Sequence, residues 1–284
     1  MKDKKTHRYH KTLISMVCLG SLLSHSALAT VPVEILADTK QYRGFEHWYS
    51  WYMGHEHRLS WYAGVGAGFT LAKTKGDTLT VSGFDEYART TKAGNNANVS
   101  LIGGLRYQRA AKNVAPWFNN IRVGLRYQNQ LAQKLTGRAE WHDVPESEDM
   151  YDYTYTAQTQ MLLFEGALAI YNWQYVAPYL HAGFGIAQIQ SGTYQQTPGS
   201  DSPGITDPYG FKNHTNYDAV GVYGVGITYN VNSHWVADLS YDFYTPLTAS
   251  LGDGPLSPNS SINATGISSK ITNQAINLTM RYNF

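Results

Sequence analysis

Apolar residues occupy every second position over long segments of this chain. The alternation is clearest at its end, where Ile276, Leu278, Met280, Tyr282 and Phe284 are separated by Asn277, Thr279, Arg281 and Asn283. A period of two places successive side chains on opposite faces of an extended strand. We therefore expect a β-structure in which each strand has one apolar face and one polar face.

Eight segments follow this rule, and one of them is ambiguous. They are residues 61–71, 99–108, 121–128, 155–171, 179–186, 219–229, 235–243 and 276–284. In 155–171 both parities contain apolar residues, so we assign Leu162, Phe164, Leu168 and Ile170 to the outer face, which turns Glu165 inward. A carboxylate facing lipid would be costly. The chain is thus expected to be all-β, with eight strands.

The connections between these segments alternate between long and short. Long polar connections cover about 73–97, 132–154, 190–217 and 246–270, and short ones cover 111–120, 172–177 and 230–234. This pattern is typical of a closed antiparallel transmembrane β-barrel with long extracellular loops and short periplasmic turns. Closure is required because an open sheet edge cannot be satisfied in hydrocarbon. An aromatic girdle is predicted at the short-turn ends, formed by Trp117, Trp173, Tyr229, Trp235, Tyr282 and Phe284.

Composition excludes other classes of membrane and exported protein. Only 15% of the residues are charged, against about 25% in soluble domains, yet no apolar run approaches the ~20 residues of a membrane-spanning helix. Residues 1–29 have a basic start, an apolar centre and the small residues Ala27 and Ala29, as in a secretory signal peptide cleaved after Ala29. Without them the chain has 17 basic and 20 acidic residues, a net charge of −3, so we expect no nucleic-acid partner.

The chain resembles the eight-stranded outer-membrane barrels of the OmpA and opacity-protein type, which are surface proteins of Gram-negative bacteria. The resemblance covers 59–284 and rests on the sequence from Ala177 to Gly185, on Ala237 to Tyr241 and on the final Tyr282-Asn283-Phe284. It implies location in the cell outer membrane, contact with outer-membrane lipid and lipopolysaccharide, and insertion by the barrel assembly machinery. In that family a terminal strand like Ile276, Leu278, Met280, Tyr282 and Phe284 serves as the assembly signal.

The predicted inward faces carry a cluster of charged residues. The expected members of this lumen cluster are Arg106, Arg122, Arg126, Glu165, His181, Asp238, Asp242 and Arg281. Arg106, Arg126 and Glu165 are expected at similar heights on consecutive strands, with His181 on the next strand and Asp238 opposite Arg281. Because an eight-stranded barrel has room only for its own side chains, we interpret the cluster as self-paired core salt bridges, with a gated ion path as the alternative.

The sequence leaves three functions open and predicts no cofactor. The first is a structural anchor, adhesin or surface antigen that meets a host or environmental ligand through its loops; the second is a narrow small-solute channel. The third, a lipid-modifying enzyme, is disfavoured because the only adjacent Ser-His pair after the signal peptide, Ser233-His234, falls in a short turn. We expect no catalytic residues and no metal site, although His47, His55, Glu56 and His57 could ligate a metal. Residues 30–58 fit either an interfacial helix or an extra strand.

Overall fold

The computed structural model describes residues 57–81, 84–109, 120–141, 151–173, 175–198, 210–255, 263–264 and 266–284. The regular structure in these ranges is all β-strand. Among them, no helix is long and apolar enough to cross a membrane.

The strands are numbered in chain order. Their bounds are β1 His57–Val81, β2 Phe84–Ala93, β3 Asn96–Arg109, β4 Asn120–Trp141, β5 Tyr151–Ala169 and β6 Val176–Pro198, followed by β7 His214–Asn230, β8 Trp235–Tyr244, β9 Leu247–Ser250, β10 Gly254–Pro255, β11 Asn263–Ala264 and β12 Ser268–Asn283.

Eight of these strands form a closed antiparallel ring. The order around the barrel is β1, β3, β4, β5, β6, β7, β8 and β12, and β12 pairs back onto β1 from Asn283, opposite Tyr62, to Ser268, opposite Thr78. Strand β2 continues the line of β3 between β1 and β4, and β9 pairs with β12 beyond β8. The ring confirms the predicted eight-stranded barrel, and it satisfies the backbone donors and acceptors that hydrocarbon would leave unpaired.

The two faces of the barrel wall are inverted relative to a soluble protein. Large apolar side chains cover the outside, whereas amides, hydroxyls and charged groups are buried inside. The exposed apolar residues include Val65, Phe69, Leu101, Val123, Leu125, Phe164, Phe184, Ile186, Val225, Leu239, Ile276 and Leu278. Such a surface is stable against lipid, and the assignment of Leu162 and Phe164 outward with Glu165 inward is correct.

Exposed aromatic residues gather where the short turns lie. Trp61, Trp173, Tyr229, Trp235 and Phe284 are all exposed at this end of the barrel. The aromatic girdle is therefore present among the described residues. Trp117 lies outside the described part of the chain.

The prediction of long loops was wrong over much of their length, because the strands continue. Residues 73–97 belong largely to β1, β2 and the start of β3, β4 runs to Trp141, and β6 runs to Pro198. Register shifts interrupt the pairing at four places, among them one between Gln130 and Gln133 on β4. A bulge changes which parity faces inward, so regular alternation ends there although the strand does not.

The interior of the long-loop half contains a buried apolar core, with buried amides such as Gln130, Gln133 and Asn273 beside it. Its buried members come from strands all around the barrel and from the segments above it. They include Leu135, Tyr153, Tyr155, Met161, Leu163, Ile189, Val220, Val222, Tyr244, Leu247, Ile267 and Ile271. The charged residues lie below this core, toward the short turns.

Candidate functional site

Glycines on the inner wall make room for the large polar side chains of the lumen. A Cβ on Gly124 would lie 2.5 Å from the Tyr62 hydroxyl, and one on Gly64 would lie 2.7 Å from Cγ of Arg281. Glu165 passes close over Gly183 in the same way, and His181 over Gly224. The inward glycines therefore determine which neighbouring side chain can cross the lumen.

Asp242 on β8 is the centre of the upper group of charges. Its Oδ2 accepts a 2.7 Å hydrogen bond from Arg126 Nη1 and a 2.8 Å bond from Asn277 Nδ2, and its Oδ1 lies 3.0 Å from His181 Nε2. Glu165 makes a second ion pair with Arg126, 3.0 Å from Nη2. Arg126 thus has two carboxylate partners, which offset the cost of burying its charge.

Asp238 is the centre of the lower group and lies four residues from Asp242 along β8, nearer the short turns. Arg281 binds it through Nε and, at 3.0 Å, through Nη2, while Arg122 Nη1 lies 3.3 Å from both carboxylate oxygens. Thr228 donates a 2.6 Å hydrogen bond to Oδ1. Both oxygens of this buried carboxylate are fully occupied.

The structure changes two details of the predicted cluster. Asp238 lies directly opposite Thr279, and Arg281 opposite Val236, so the ion pair between Asp238 and Arg281 is diagonal. Arg106 does not join the network: within the described ranges no carboxylate forms an ion pair with it. The remaining predicted members, Arg122, Arg126, Glu165, His181, Asp238, Asp242 and Arg281, do come together.

Tyrosines that sequence reasoning did not single out complete this layer. The guanidinium of Arg122 lies 4.5 Å from the ring centroid of Tyr179, and that of Arg281 lies 5.4 Å from the ring centroid of Tyr62. Tyr244 donates a 2.8 Å hydrogen bond to Gln128 Oε1. Inward glycines on the strands beside Tyr62 and Tyr179, such as Gly124 and Gly226, were the available signal for these positions.

The space left inside the charged layer is small. A cavity of about 40 Å³ is lined by Tyr62, Arg122, Arg126, Glu165, His181 and Asp238, among others. Such a volume holds only a few water molecules. Chemically, the arrangement is a paired polar plug, and its carboxylates are already engaged by arginines.

The other predicted residues lie outside the lumen or beyond the described ranges. Ile276, Leu278, Met280 and Phe284 are exposed on the outer wall, and Tyr282 stacks on His234 at 5.4 Å; their role as an assembly signal stays a prediction. The part of the chain that the structure describes contains no group of three potential metal ligands. Ala29, His47, His55 and Glu56 lie outside it.

Comparisons with known proteins find similarity of fold only. No protein-family model matches the chain, and no curated protein matches its sequence. Among solved structures it is similar to the outer membrane protein OprG from Pseudomonas aeruginosa, with 10% identity, 81% of this chain and 97% of that chain covered, and a TM-score of 0.48. Neisserial surface protein A has 11% identity, with 80% of this chain and 99% of that chain covered, and a TM-score of 0.38. The outer membrane protease OmpT from Escherichia coli has 11% identity, with 79% of this chain and 97% of that chain covered, and a TM-score of 0.40.

Proposed function

We propose that this protein is a closed outer-membrane barrel that acts as a structural anchor or adhesin, through the surface that its strand extensions and loops present outside the cell. The observation that carries the proposal is the filled interior, where an ion-paired layer lies beneath an apolar core. The barrel holds the protein in the membrane, and the segments above it meet the environment.

The filled interior opposes the channel alternative. An ion crossing the barrel would have to separate the pairs around Asp238 and Asp242, and then pass between side chains such as Leu163, Ile189 and Val222. Charged and polar solutes lose hydration in apolar surroundings without compensation, and apolar constrictions close pores by excluding water. Both layers therefore favour a barrel that is closed at rest.

The orientation and partners follow from the pattern of strands and turns. Short turns on the periplasmic side and long extensions outside match the geometry of outer-membrane barrels. The exposed apolar band then contacts outer-membrane lipid, and the band's outer edge contacts lipopolysaccharide. Delivery through the signal peptide and insertion by the barrel assembly machinery belong to the same proposal. So does a ligand, of host or environmental origin, for the long-loop end.

The proposal includes no enzymatic activity. Asp238 and Asp242 are the closest approach to a pair of catalytic carboxylates, and each is held by two cationic or imidazole partners. A general base needs a lone pair free to accept a proton from a substrate. These carboxylates stabilise the barrel instead.

Planar-bilayer recording of the full-length protein tests the closed lumen. We expect no steady current from the wild type. Recovery of the heat-modifiable form from the same bilayers or vesicles serves as the control that the protein has inserted. Large, steady single-channel currents would overturn the proposal in favour of the channel.

Attachment of cells tests the surface role. Replacing residues 199–209, which lie in the connection between β6 and β7, with a glycine-serine segment of equal length should reduce attachment to a host-cell or abiotic surface. A matched replacement of residues 231–233, in a short turn, should leave attachment unchanged. Equal attachment by both variants, at equal surface levels, would argue against an adhesive role for this connection.

A further inference from the structure

We propose that the short-turn mouth of the lumen is a binding site for a small oxyanion, such as phosphate or a carboxylate, held by Arg106, Arg281 and Asn283. This site lies on the short-turn side of the ion-paired plug, with which it shares Arg281, and is independent of the surface role proposed above. It would be reached from the side of the membrane on which the short turns lie.

The charges at this end of the lumen do not balance. Among the described residues, Arg106, Arg122 and Arg281 lie near one carboxylate, that of Asp238, which forms ion pairs with Arg122 and Arg281. In the upper group, Asp242 and Glu165 both face Arg126. Among the described side chains, the excess of positive charge therefore lies next to the mouth, where an anion would be attracted.

Asp238 has no capacity left to neutralise Arg106. Its two oxygens already accept from Arg122, Arg281 and Thr228. Arg106 also lies directly opposite Arg122 in the register of β3 and β4, which brings two like charges side by side. Like charges directly opposite each other destabilise a sheet. An anion close to both arginines would be attracted by each of them and would reduce their repulsion.

Buried donors without partners point to the same place. Arg281 is 2% exposed and its Nη1 has no hydrogen-bond partner, and Asn283 is 4% exposed with neither amide atom bonded. The Nε of Arg106 is likewise buried and unbonded. A buried donor without a partner costs free energy, and a ligand that accepted hydrogen bonds from these three side chains would remove that cost.

The strand register brings these donors to one side of the mouth. Arg106 on β3 lies opposite Ser60 on β1, Asn283 on β12 lies opposite Tyr62, and Arg281 lies opposite Gly64. Arg106 on β3 and Arg281 on β12 therefore lie on the two strands that flank β1. Gly64 leaves room for the Arg281 side chain, and Tyr62 of β1 lies beside it in the lumen, with its ring centroid 5.4 Å from the Arg281 guanidinium.

The donor set selects an oxyanion over a simple halide. Two guanidinium groups present planar arrays of N–H donors that match the oxygens of phosphate and carboxylate, and such charge-assisted bonds are about twice as strong as neutral ones. The amide of Asn283 adds a neutral donor. Val236, on the strand next to β12, and Ala177 on β6 are buried and add apolar surface to the lumen, which favours a small group or one end of a larger molecule.

Nuclear magnetic resonance of the arginine side chains tests the site in the refolded full-length protein. The probe is inorganic phosphate, titrated into protein with ¹⁵N-labelled arginine in detergent micelles and compared with sodium chloride at equal ionic strength. We expect saturable shifts of a subset of the Nε–Hε signals with phosphate and none with chloride. Identical responses to the two salts would overturn the proposal.

Two variants and one control assign the response to this mouth. Arg106→Gln should weaken phosphate binding at least tenfold, and Asn283→Asp, which keeps the side-chain shape but adds a negative charge, should weaken it further. Lys134→Gln removes a positive charge from the exposed outer wall and should leave binding unchanged. Wild-type affinity in both Arg106→Gln and Asn283→Asp, with the heat-modifiable barrel intact, would refute the site.

Acetate as a second probe distinguishes the natural source of the oxyanion. Tighter binding of phosphate would assign the mouth to a phosphate group, and tighter binding of acetate would assign it to a carboxylate, such as a peptide end. Failure of both probes to compete for the same arginine signals would count against the proposal. Silence or conductance in the bilayer recordings has no bearing on this result.

Discussion

Arg126 and Asp242, on strands that are not neighbours in the ring, meet across the lumen with 2.7 Å between Nη1 and Oδ2. The pair joins two sides of the barrel wall that the sheet's own hydrogen bonds do not connect directly. Asp242 also holds His181 and Asn277, so this one carboxylate ties together four strands.

Asp242 should therefore matter more to stability than Glu165. Asp242→Asn leaves Arg126 without its shorter carboxylate contact and loosens His181, which should lower the free energy of unfolding by about 3–5 kcal/mol, as for a broken buried pair. Glu165→Gln leaves Arg126 paired to Asp242 and should cost about 1–3 kcal/mol. Guanidinium unfolding in micelles, followed by tryptophan fluorescence, measures both. A Glu165→Gln effect equal to or larger than that of Asp242→Asn would contradict this ranking.

The inward glycines should tolerate no side chain. A Cβ on Gly64 would lie 2.5 Å from the Met280 carbonyl oxygen and 2.7 Å from Cγ of Arg281. Gly64→Ala should thus displace Arg281 from Asp238 and cost about 1–3 kcal/mol of overpacking. Gly166→Ala makes the same chemical change on the outer wall, where the nearest atom is 3.9 Å away, and should alter stability by no more than about 0.5 kcal/mol. Equal losses in the same unfolding assay would show that backbone effects, and not close packing, explain the glycines.

The apolar core inside the barrel should be as sensitive as the core of a soluble protein. Leu163 is 0% exposed and faces the interior, whereas its neighbour Leu162 is 46% exposed on the outer wall. Leu163→Ala should reduce the free energy of unfolding by about 2–5 kcal/mol through lost contacts and a cavity. Leu162→Ala should cost clearly less, because lipid or detergent fills the space. If the two variants unfold at the same denaturant concentration, the interior core has been assigned to the wrong face.

The closed ring should survive detergent until it is heated. Pairing of β1 with β12 leaves no free edge in the barrel, so unfolding must break many backbone hydrogen bonds together. Unboiled and boiled samples should migrate differently on a detergent gel, and the circular dichroism spectrum of the unboiled form should be that of β-sheet. Identical mobility together with a helical spectrum would contradict the fold.

Alternation predicts the barrel within the membrane because lipid and the packed lumen impose opposite demands on the two faces of each strand. In 155–171 both parities contain apolar residues, so Phe164 outward and Glu165 inward follow from the cost of turning a carboxylate toward lipid. The alternation rule fails where the interior core is also apolar: Leu163, Val222 and Ile271 face inward but carry no polar signal. The bulge between Gln130 and Gln133 then reverses the parity and hides the continuation of β4.

Contacts across the lumen could not be predicted, because they depend on the stagger of the strands. The sequence places Arg126 and Glu165 on adjacent strands and so predicts their ion pair. Nothing in one sequence reveals that Asp242, 116 residues from Arg126, lies at the same height on the far wall. The lack of an ion pair at Arg106 could not be predicted for the same reason, since Asp238 is already paired with Arg122 and Arg281.

Because the strands continue past the apolar band, the outermost segments lie at the end of a hydrogen-bonded β-sheet that extends beyond the membrane. Strand β4 extends ten residues beyond the exposed Leu131, to Trp141, which is about 25 Å of height at the usual rise and tilt of barrel strands. In the proposed orientation, the tips stand clear of the sugars nearest the lipid. An antibody or a receptor would therefore bind the tips without first passing through the lipopolysaccharide layer. Shortening the lipopolysaccharide should expose little new protein surface at the tips.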